Sequence, residues 1–213
     1  MSAIPGLRQR KKEQTRQLIA DTARRLFLRR GFDRVTVADV AKAADVSTAT
    51  VFNYFPTKED LLYSRLEDFE QEMLNAIRNR PTGESILAAF GRFVLEPRGH
   101  LASKDPAAAE NLAKLTRVIT ESPALLARER QVFERYTRSL AALIAEETGS
   151  APEDVEPWVT ANALIGLHRA LIDYVRRRVL AGASNPRLAR DMRAQGRRAL
   201  AVLERGLGDA GSP

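Results

Sequence analysis

Apolar residues recur at three- and four-residue spacing along most of the chain, which is the period of an amphipathic helix. The first such stretch covers about residues 11–30, with Ile19, Ala23 and Phe27 on one side and arginines on the other. Gly31 predicts the end of this helix, because glycine is favoured just after a helix. No stretch shows the two-residue alternation of a half-buried strand. The pattern therefore predicts an all-α fold of about nine helices.

Two short helices joined by a tight turn are predicted within residues 35–62. Thr36 and Asp39 have capping-box spacing, a hydroxyl before the first turn and a carboxylate three residues on. A chain reversal is expected at residues 44–46, and Ser47 is placed to cap the second helix. This arrangement predicts a helix-turn-helix.

The second short helix has an inward apolar side and an outward side of small, polar and flat groups. Val51 and Phe55 are four residues apart and are expected to face inward. The opposite side suits a DNA major groove, where hydroxyls and amides bond base edges and an aromatic ring meets a thymine methyl. Flanking hydroxyls and a lysine at the next helix start are expected to contact phosphates. The predicted DNA-contacting residues are Thr36, Ser47, Thr48, Ala49, Thr50, Phe52, Asn53, Tyr54, Thr57 and Lys58, with Arg10 and Lys11 from the amino-terminal basic cluster.

The positive charge of the chain is concentrated in its first third. Residues 1–60 contain twelve Lys and Arg against seven Asp and Glu, whereas the whole chain has a net charge of +7. A basic segment on a nearly neutral remainder fits binding of a polyanion. The cluster at residues 8–12, directly before the first helix, fits phosphate or minor-groove contact, and a solvated helix start is the alternative. Arginine-rich composition alone also arises from genomic base composition.

The run DVSTATVFNYFPTKEDLL, residues 45–62, resembles the signature of TetR-type bacterial transcriptional repressors. It has the valine–serine pair, the threonine, the aromatic residue, the Tyr-Phe pair and the Thr-Lys-Glu-x-Leu string in the same order. The resemblance implies a DNA-binding domain over 1–56 and a ligand-binding and dimerisation domain over 57–213. Asp45 and Ala49 replace two glycines that are common in this signature. A left-handed backbone at Asp45 is therefore expected to be costly.

The remainder of the chain is expected to be helical throughout. The stripe formed by Leu62, Leu66, Phe69, Met73 and Ile77 predicts one connecting helix over 57–80, shared by both domains. Prolines that follow capping residues predict several later helix starts, because proline is well tolerated in the first helical turn. The predicted helices lie at about 82–96, 106–120, 123–148, 152–181 and 186–207.

Small residues on the last two predicted helices indicate a close helix crossing. Glycine inside an exposed helix costs about 1 kcal/mol relative to alanine, so Gly166 and Gly196 need a packing reason. That reason is either packing within one chain or a four-helix interface in a homodimer. The resemblance favours the homodimer, whose two-fold axis matches a palindromic operator. The predicted interface residues are Ala163, Gly166, Ala170, Met192, Gly196, Ala199 and Leu203.

The resemblance also implies a small-molecule inducer inside the second domain, while no bound cofactor is expected. A pocket of this kind needs apolar walls and a few polar groups. Aromatic residues at helical spacing also serve as ordinary core, and a histidine on an apolar face is often a hydrogen-bonded core residue. Residues 119–174 resemble regulators associated with mycofactocin clusters, which implies an acyl-CoA-like inducer. The predicted lining residues are Phe90, Phe93, Arg117, Phe133, Tyr136, Trp158, Asn162 and His168.

Other function classes have little support in the sequence. The chain has no cysteine and two histidines, and neither histidine has a partner at metal-binding spacing. Because P-loop and Gly-x-Ser-x-Gly motifs are also absent, a small helical enzyme is disfavoured. No apolar run approaches the ~20 residues of a membrane span, so a cytoplasmic protein is expected. The predicted function is a ligand-released homodimeric repressor, with an activator or a regulator without inducer as the alternative.

Overall fold

The structure, a computed structural model, describes residues 6–64, 66–103, 105, 107–151, 153–183 and 185–206. Within these ranges it has ten α-helices, one 3-10 turn at Gly99–Leu101 and no strand, which confirms the all-α prediction. The helices are α1 Leu7–Arg30, α2 Val37–Ala43, α3 Thr48–Tyr54, α4 Lys58–Leu62, α5 Leu66–Arg78, α6 Ile86–Val94, α7 Ala107–Thr120, α8 Pro123–Thr148, α9 Glu156–Leu180 and α10 Asn185–Arg205.

The short helices begin at the predicted side-chain caps. The Thr36 hydroxyl accepts a hydrogen bond from the backbone N–H of Asp39, and the Asp39 carboxylate accepts one from the backbone N–H of Thr36. Ser47 caps α3 by accepting from the backbone N–H of Thr50 at 3.0 Å. These bonds satisfy N–H groups that have no partner inside the helix, so they fix where each helix begins.

The turn between α2 and α3 is left-handed at Asp45, where φ is 54°. The backbone N–H of Val46 donates to the carbonyl of Ala41 at 3.0 Å and closes the turn. Asp45 is the one residue other than glycine with a positive φ in the described part of the chain. Asp45 therefore has the left-handed backbone that was expected to be costly for a residue with a side chain.

Helix α1 begins four residues earlier than predicted. It starts at Leu7, after Gly6, and its first turns carry the basic cluster that includes Arg10 and Lys11. The prediction of a basic arm in front of the helix is therefore wrong. Arginine, glutamine and lysine are good helix formers, and no proline interrupts them after Gly6. The exposed cations accordingly lie along a helical surface.

The described residues form two compact units. The first contains the residues up to Leu66 together with Val118–Arg128, and the second contains Glu67–Arg117 and the residues from Glu129 onward. In the first unit Leu125 is fully buried, and the Tyr63 hydroxyl donates to its carbonyl at 3.2 Å. The first unit is thus larger than the predicted domain 1–56, because α4 and the start of α8 complete its core.

The predicted connecting helix 57–80 is two helices. Helix α4 ends at Leu62, the backbone N–H of Tyr63 bonds back to the Glu59 carbonyl, and α5 begins at Leu66. Leu61 and Leu62 are buried with the first unit. The apolar spacing continues across the break, so periodicity alone does not reveal it. This extra helix accounts for ten helices where about nine were predicted.

In the second unit, glycines allow α10 to pack closely on its neighbours. A Cβ atom at Gly91 would lie 2.6 Å from Cδ1 of Leu200, which places α6 against α10. A Cβ atom at Gly196 would collide with the Leu95 side chain. Packing within the chain, the alternative to a dimer interface, therefore accounts for glycine at position 196. Met192 is also buried within this unit.

The predicted interface residues on α9 have a different environment. Ala163, Gly166 and Ala170 are exposed, and a Cβ atom at Gly166 would meet nothing within 4 Å. Val159, one helical turn earlier, is 60% exposed. This small-residue stripe of α9 is therefore available for contact with another molecule. Ala199 and Leu203 on α10 are half-buried.

Candidate nucleic-acid interface and aromatic cluster

Helix α3 has the two-sided character that its sequence predicts. Val51 and Phe55 are 1% and 2% exposed and anchor the helix in the first unit. On the opposite side Phe52 is 50% exposed, although it is a large apolar side chain. Asn53 is exposed beside it. Together with Thr48 and Ala49, which are exposed one turn earlier, these residues form the outer face of α3.

Four of the predicted contact residues use their hydroxyls to build the helix starts. Thr36 donates to the Asp39 carboxylate at 2.7 Å, and Thr57 donates to the Asp60 carboxylate at 2.8 Å. The Ser47 and Thr50 hydroxyls are 2.8 Å apart and bond to each other. These residues position α3 and α4. In the described part of the chain, the side chains of Thr48 and Asn53 make no hydrogen bond.

Lys58 does not extend freely toward solvent. Its Nζ atom lies 4.1 Å from the centroid of the Phe32 ring, in a cation–π contact. Burial lowers the pKa of the Lys58 ammonium, while Asp33 and Glu59 act in the opposite direction. To bind a phosphate, the Lys58 ammonium must therefore either leave the Phe32 ring or use the N–H groups that point away from that ring. Tyr54, on the flank of α3, is half-buried.

An ion pair joins the start of α8 to α4 inside the first unit. Nη2 of Arg128 lies 2.7 Å from Oδ1 of Asp60, and its Nε donates to the same oxygen at 2.8 Å. The other carboxylate oxygen of Asp60 holds the Thr57 cap. Asp60 therefore couples α8 to the segment that directly follows α3.

The second unit contains a cluster of aromatic rings around Phe69. The Phe69 ring stacks on His168 at 4.9 Å and on Tyr136 at 5.5 Å between centroids. It also meets Phe93 at 5.2 Å, and Phe133 approaches His168 edge-on at 6.0 Å. The structure thus brings together four predicted lining residues. Phe69 was missed as a lining residue because its stripe was assigned to the connecting helix.

Arg98 places a positive charge against this aromatic cluster. Its guanidinium carbon lies 3.9 Å from the Phe93 ring centroid, and Nη1 donates to the Phe93 carbonyl at 2.6 Å. Although part of His168 remains accessible, burial of its ring and, to a smaller extent, the charge of Arg98 lower its pKa to about 4. His168 is therefore neutral near pH 7. Sequence reasoning had no signal for Arg98, which lies in an irregular segment after α6.

A buried carboxylate lies on α5 near the same part of α8. Glu70 accepts from Nε of Arg135 at 2.7 Å and from the Ser139 hydroxyl at 2.6 Å. Because Glu70 is buried, both donors are needed to compensate for its lost hydration. This pairing fixes α5 to α8 one turn from Tyr136.

Three predicted lining residues lie at the surface. Trp158 is 41% exposed and lines a groove of about 330 Å³ between the end of α8 and the start of α9. Asn162 is exposed, and its amide donates to the carbonyl of Trp158. Arg117 is exposed on α7, in keeping with a position at a rim. Phe90 is fully buried in the second unit.

Residues 19–64 match the family described as bacterial regulatory proteins, tetR family, and residues 98–207 match the MftR C-terminal domain. The second match alone spans more than half of the chain. The chain belongs to the tetR family. The outer face of α3 lies within the segment that matches the first family, and His168 lies within the segment that matches the second.

Relatives and solved structures agree with this assignment. The HTH-type transcriptional regulator TcmR of Streptomyces glaucescens is 30% identical over 152 residues, covering 70% of this chain and 67% of TcmR. MftR of Mycobacterium tuberculosis, named for regulation of mycofactocin biosynthesis, is 25% identical over 165 residues, covering 74% of this chain and 78% of MftR. NalD of Pseudomonas aeruginosa has the same fold, with 18% identity and a TM-score of 0.54; the match covers 88% of this chain and 97% of NalD.

As a tetR-family member, the protein is a DNA-binding transcriptional regulator and not an enzyme. This confirms the prediction made from the helix-turn-helix signature. Among the described helices, none has the length and apolar composition that a membrane span requires.

Proposed function

We propose that the protein is a homodimeric repressor that a small-molecule effector releases from a palindromic operator. The observation that carries this proposal is the course of α8, which is one uninterrupted helix over Pro123–Thr148. Its first turns supply Leu125 and Arg128 to the unit that contains α3. Later turns supply Phe133 and Tyr136 to the aromatic cluster. A change at the cluster therefore has a continuous route to the DNA-binding unit.

The outer face of α3 is the proposed DNA contact. It is exposed, it is anchored from behind by Val51 and Phe55, and it lies in a unit that carries exposed cations such as Lys11 and Lys42. The cations supply affinity through phosphates, whereas the uncharged side chains of α3 reach base edges. In a bacterium this activity takes place in the cytoplasm, where the chromosome lies.

The small-residue stripe of α9 is the proposed dimer interface. Ala163, Gly166 and Ala170 are exposed and have at most a methyl side chain, so a second copy of α9 can approach closely, and the exposed Val159 extends the apolar surface. A two-fold dimer presents two α3 helices to half-sites about 34 Å apart on one side of the duplex. A palindromic operator follows from that symmetry.

The aromatic cluster is the proposed effector site. Its rings offer stacking and apolar contact, and Arg98 with Arg169, whose guanidinium lies 5.4 Å from the Phe133 ring centroid, offers positive charge. A ligand with an apolar or flat body and an anionic group suits this combination. An acyl-CoA-like effector is one such ligand. Entry of a ligand would require Phe69 to give up its stacking contacts with His168 and Tyr136.

Fluorescence anisotropy with full-length protein tests the proposal. Duplexes from the chromosomal region around its own gene should bind with an affinity that falls steeply with salt, and acyl-CoA thioesters should lower that affinity. Thr48→Ala or Asn53→Ala should relax base preference, whereas Tyr54→Phe or Lys58→Ala should weaken binding to all duplexes alike. Salt-independent binding, or none, would remove the DNA-binding role. Binding that no ligand changes would favour a regulator without an inducer.

A further inference from the structure

Helix α3 has no charged side chain to offer to a DNA groove. Its sequence is TATVFNY, so the whole of this described helix contains no lysine or arginine. We infer that α3 selects A·T base pairs, with Phe52 on the thymine methyl and Asn53 on the adenine edge. This inference rests on the proposed DNA contact of α3 and names the class of base pair that this contact recognises.

The chemistry of the major groove supports this choice. Guanine presents two acceptors, N7 and O6, and is most often read by the paired donors of arginine or by lysine. Adenine presents an acceptor and a donor side by side, which an asparagine amide matches with its own donor and acceptor. The amide of Asn53 is exposed and makes no hydrogen bond within the described residues, so both its N–H donor and its carbonyl acceptor are available. The outer face of α3 thus fits adenine better than guanine.

Phe52 supplies the second contact. Its ring is 50% exposed and has no hydroxyl, so it cannot donate to a phosphate or to a base edge. Among groups in the major groove, the C5-methyl of thymine is the apolar one. Covering that methyl removes apolar surface of both partners from water, which gives the exposed ring a favourable contact.

The positions of these residues on α3 indicate neighbouring base pairs. Phe52 and Asn53 are consecutive, so their side chains point about 100° apart around the helix. One turn earlier lie Thr48, in the row of Phe52, and Ala49, in the row of Asn53. The methyl side chain of Ala49 leaves the approach to the Asn53 amide open. Each half-site should therefore contain at least two adjacent A·T pairs at the positions that α3 contacts.

Selection from a random duplex library with the full-length protein provides the first test. The expected half-site contains two adjacent A·T pairs. Phe52→Ala should lose the A·T preference at one of these positions, and Asn53→Ala should lose it at the neighbouring position. Asn79→Ala, an exposed asparagine of the second unit, is the control and should select the wild-type site. Half-sites in which guanine is required at the positions that depend on these residues would overturn the inference. Failure to enrich any duplex would instead overturn the DNA-binding proposal itself.

Base analogues provide the second test on the selected duplex. Replacement of the contacted thymine by uracil removes only the methyl and should weaken wild-type binding about fourfold. Replacement of the contacted adenine by 7-deazaadenine removes N7 and should weaken it about fivefold or more. Phe52→Ala should be insensitive to the first replacement and Asn53→Ala to the second. Equal sensitivity of wild type and variants would overturn the assignment of these two residues.

Discussion

Arg128 and Asp60 form an ion pair in which one carboxylate serves two helices. The guanidinium lies 2.7 Å from Oδ1, while Oδ2 accepts from the backbone N–H and hydroxyl of Thr57. Both side chains are more than two-thirds buried. Because α4 follows α3 after only three residues, the position of α8 is tied to the segment that holds α3 in place. In the proposed function, this pair is the point at which effector binding would be transmitted to α3.

Replacement of Arg128 by Gln should uncouple the effector from DNA. The variant loses a charge-assisted hydrogen bond, so the free energy of unfolding should fall by about 1–2 kcal/mol. DNA binding without effector should stay close to wild type, because α3 keeps its own cap at Ser47. The effector concentration needed for release should rise. Urea unfolding and anisotropy titrations measure these quantities.

Arg130→Gln is the matched control for this variant, since Arg130 is exposed on the same helix. It should change neither stability nor release. If Arg128→Gln released DNA as readily as wild type at the same effector concentration, the Arg128–Asp60 pair would have no part in transmission.

Stability should depend on pH through His168. The pKa of about 4 in the folded protein lies below the ordinary histidine value of 6.5, so the unfolded chain binds more protons between these two pH values. Stability is therefore complete above pH 6.5 and is lost as pH falls toward 4, with a loss of about 2 kcal/mol between pH 7 and pH 5. His168→Gln should lack this component. Urea unfolding of both proteins at the two pH values gives the difference, and identical pH dependence would contradict burial of the ring.

Replacement of Asp45 by Gly should stabilise the first unit. The backbone there has φ of 54°, which glycine adopts without the steric cost that a side chain imposes. The expected gain is about 0.5–1 kcal/mol, measured by thermal or urea unfolding. Ala43→Gly, in the last turn of α2, should have the opposite sign because glycine disfavours a helix. A loss of stability in Asp45→Gly would show that the carboxylate matters more than the backbone.

Replacement of Gly166 by Leu should dissociate the dimer without unfolding the chain. Space around Gly166 is open within the chain, but a large side chain would separate the two α9 helices of the proposed dimer. Sedimentation velocity should show a shift from dimer to monomer with unchanged helical content. Glu134→Leu, at an exposed site on α8, is the control for an added apolar side chain. A dimer that persists in Gly166→Leu would place the interface elsewhere.

Helix ends that are set by neighbouring residues in the chain were predictable from the sequence. Thr36, Ser47 and Thr57 cap α2, α3 and α4 because each hydroxyl bonds to a backbone N–H three residues away. The limits of α8 were also predicted, because Pro123 follows a capping residue and begins a continuous helical pattern. These signals lie within a few residues of their effects, so no knowledge of tertiary packing is needed.

The errors arose where long-range packing decides the outcome. The break after Leu62 keeps the helical spacing of apolar residues, and it is set by the burial of that residue in a different unit from Met73. Gly196 was assigned to the dimer interface because it is a small residue within a helix, yet the Leu95 side chain of the same chain occupies the space beside it. A single sequence reveals neither the helix break nor the role of Gly196. The break depends on which unit buries Leu62, and the role of Gly196 depends on Leu95, about a hundred positions away.

Photocrosslinking from position 52 tests the central claim most directly. A p-benzoylphenylalanine placed there would keep an aromatic ring on the outer face of α3, and the same group at position 158 would report from the surface of the second unit. Irradiation of the complex with the selected duplex should yield a protein–DNA adduct from position 52 and none from position 158. Intact DNA binding with no adduct from position 52 would contradict the assignment of α3 as the helix that reads DNA.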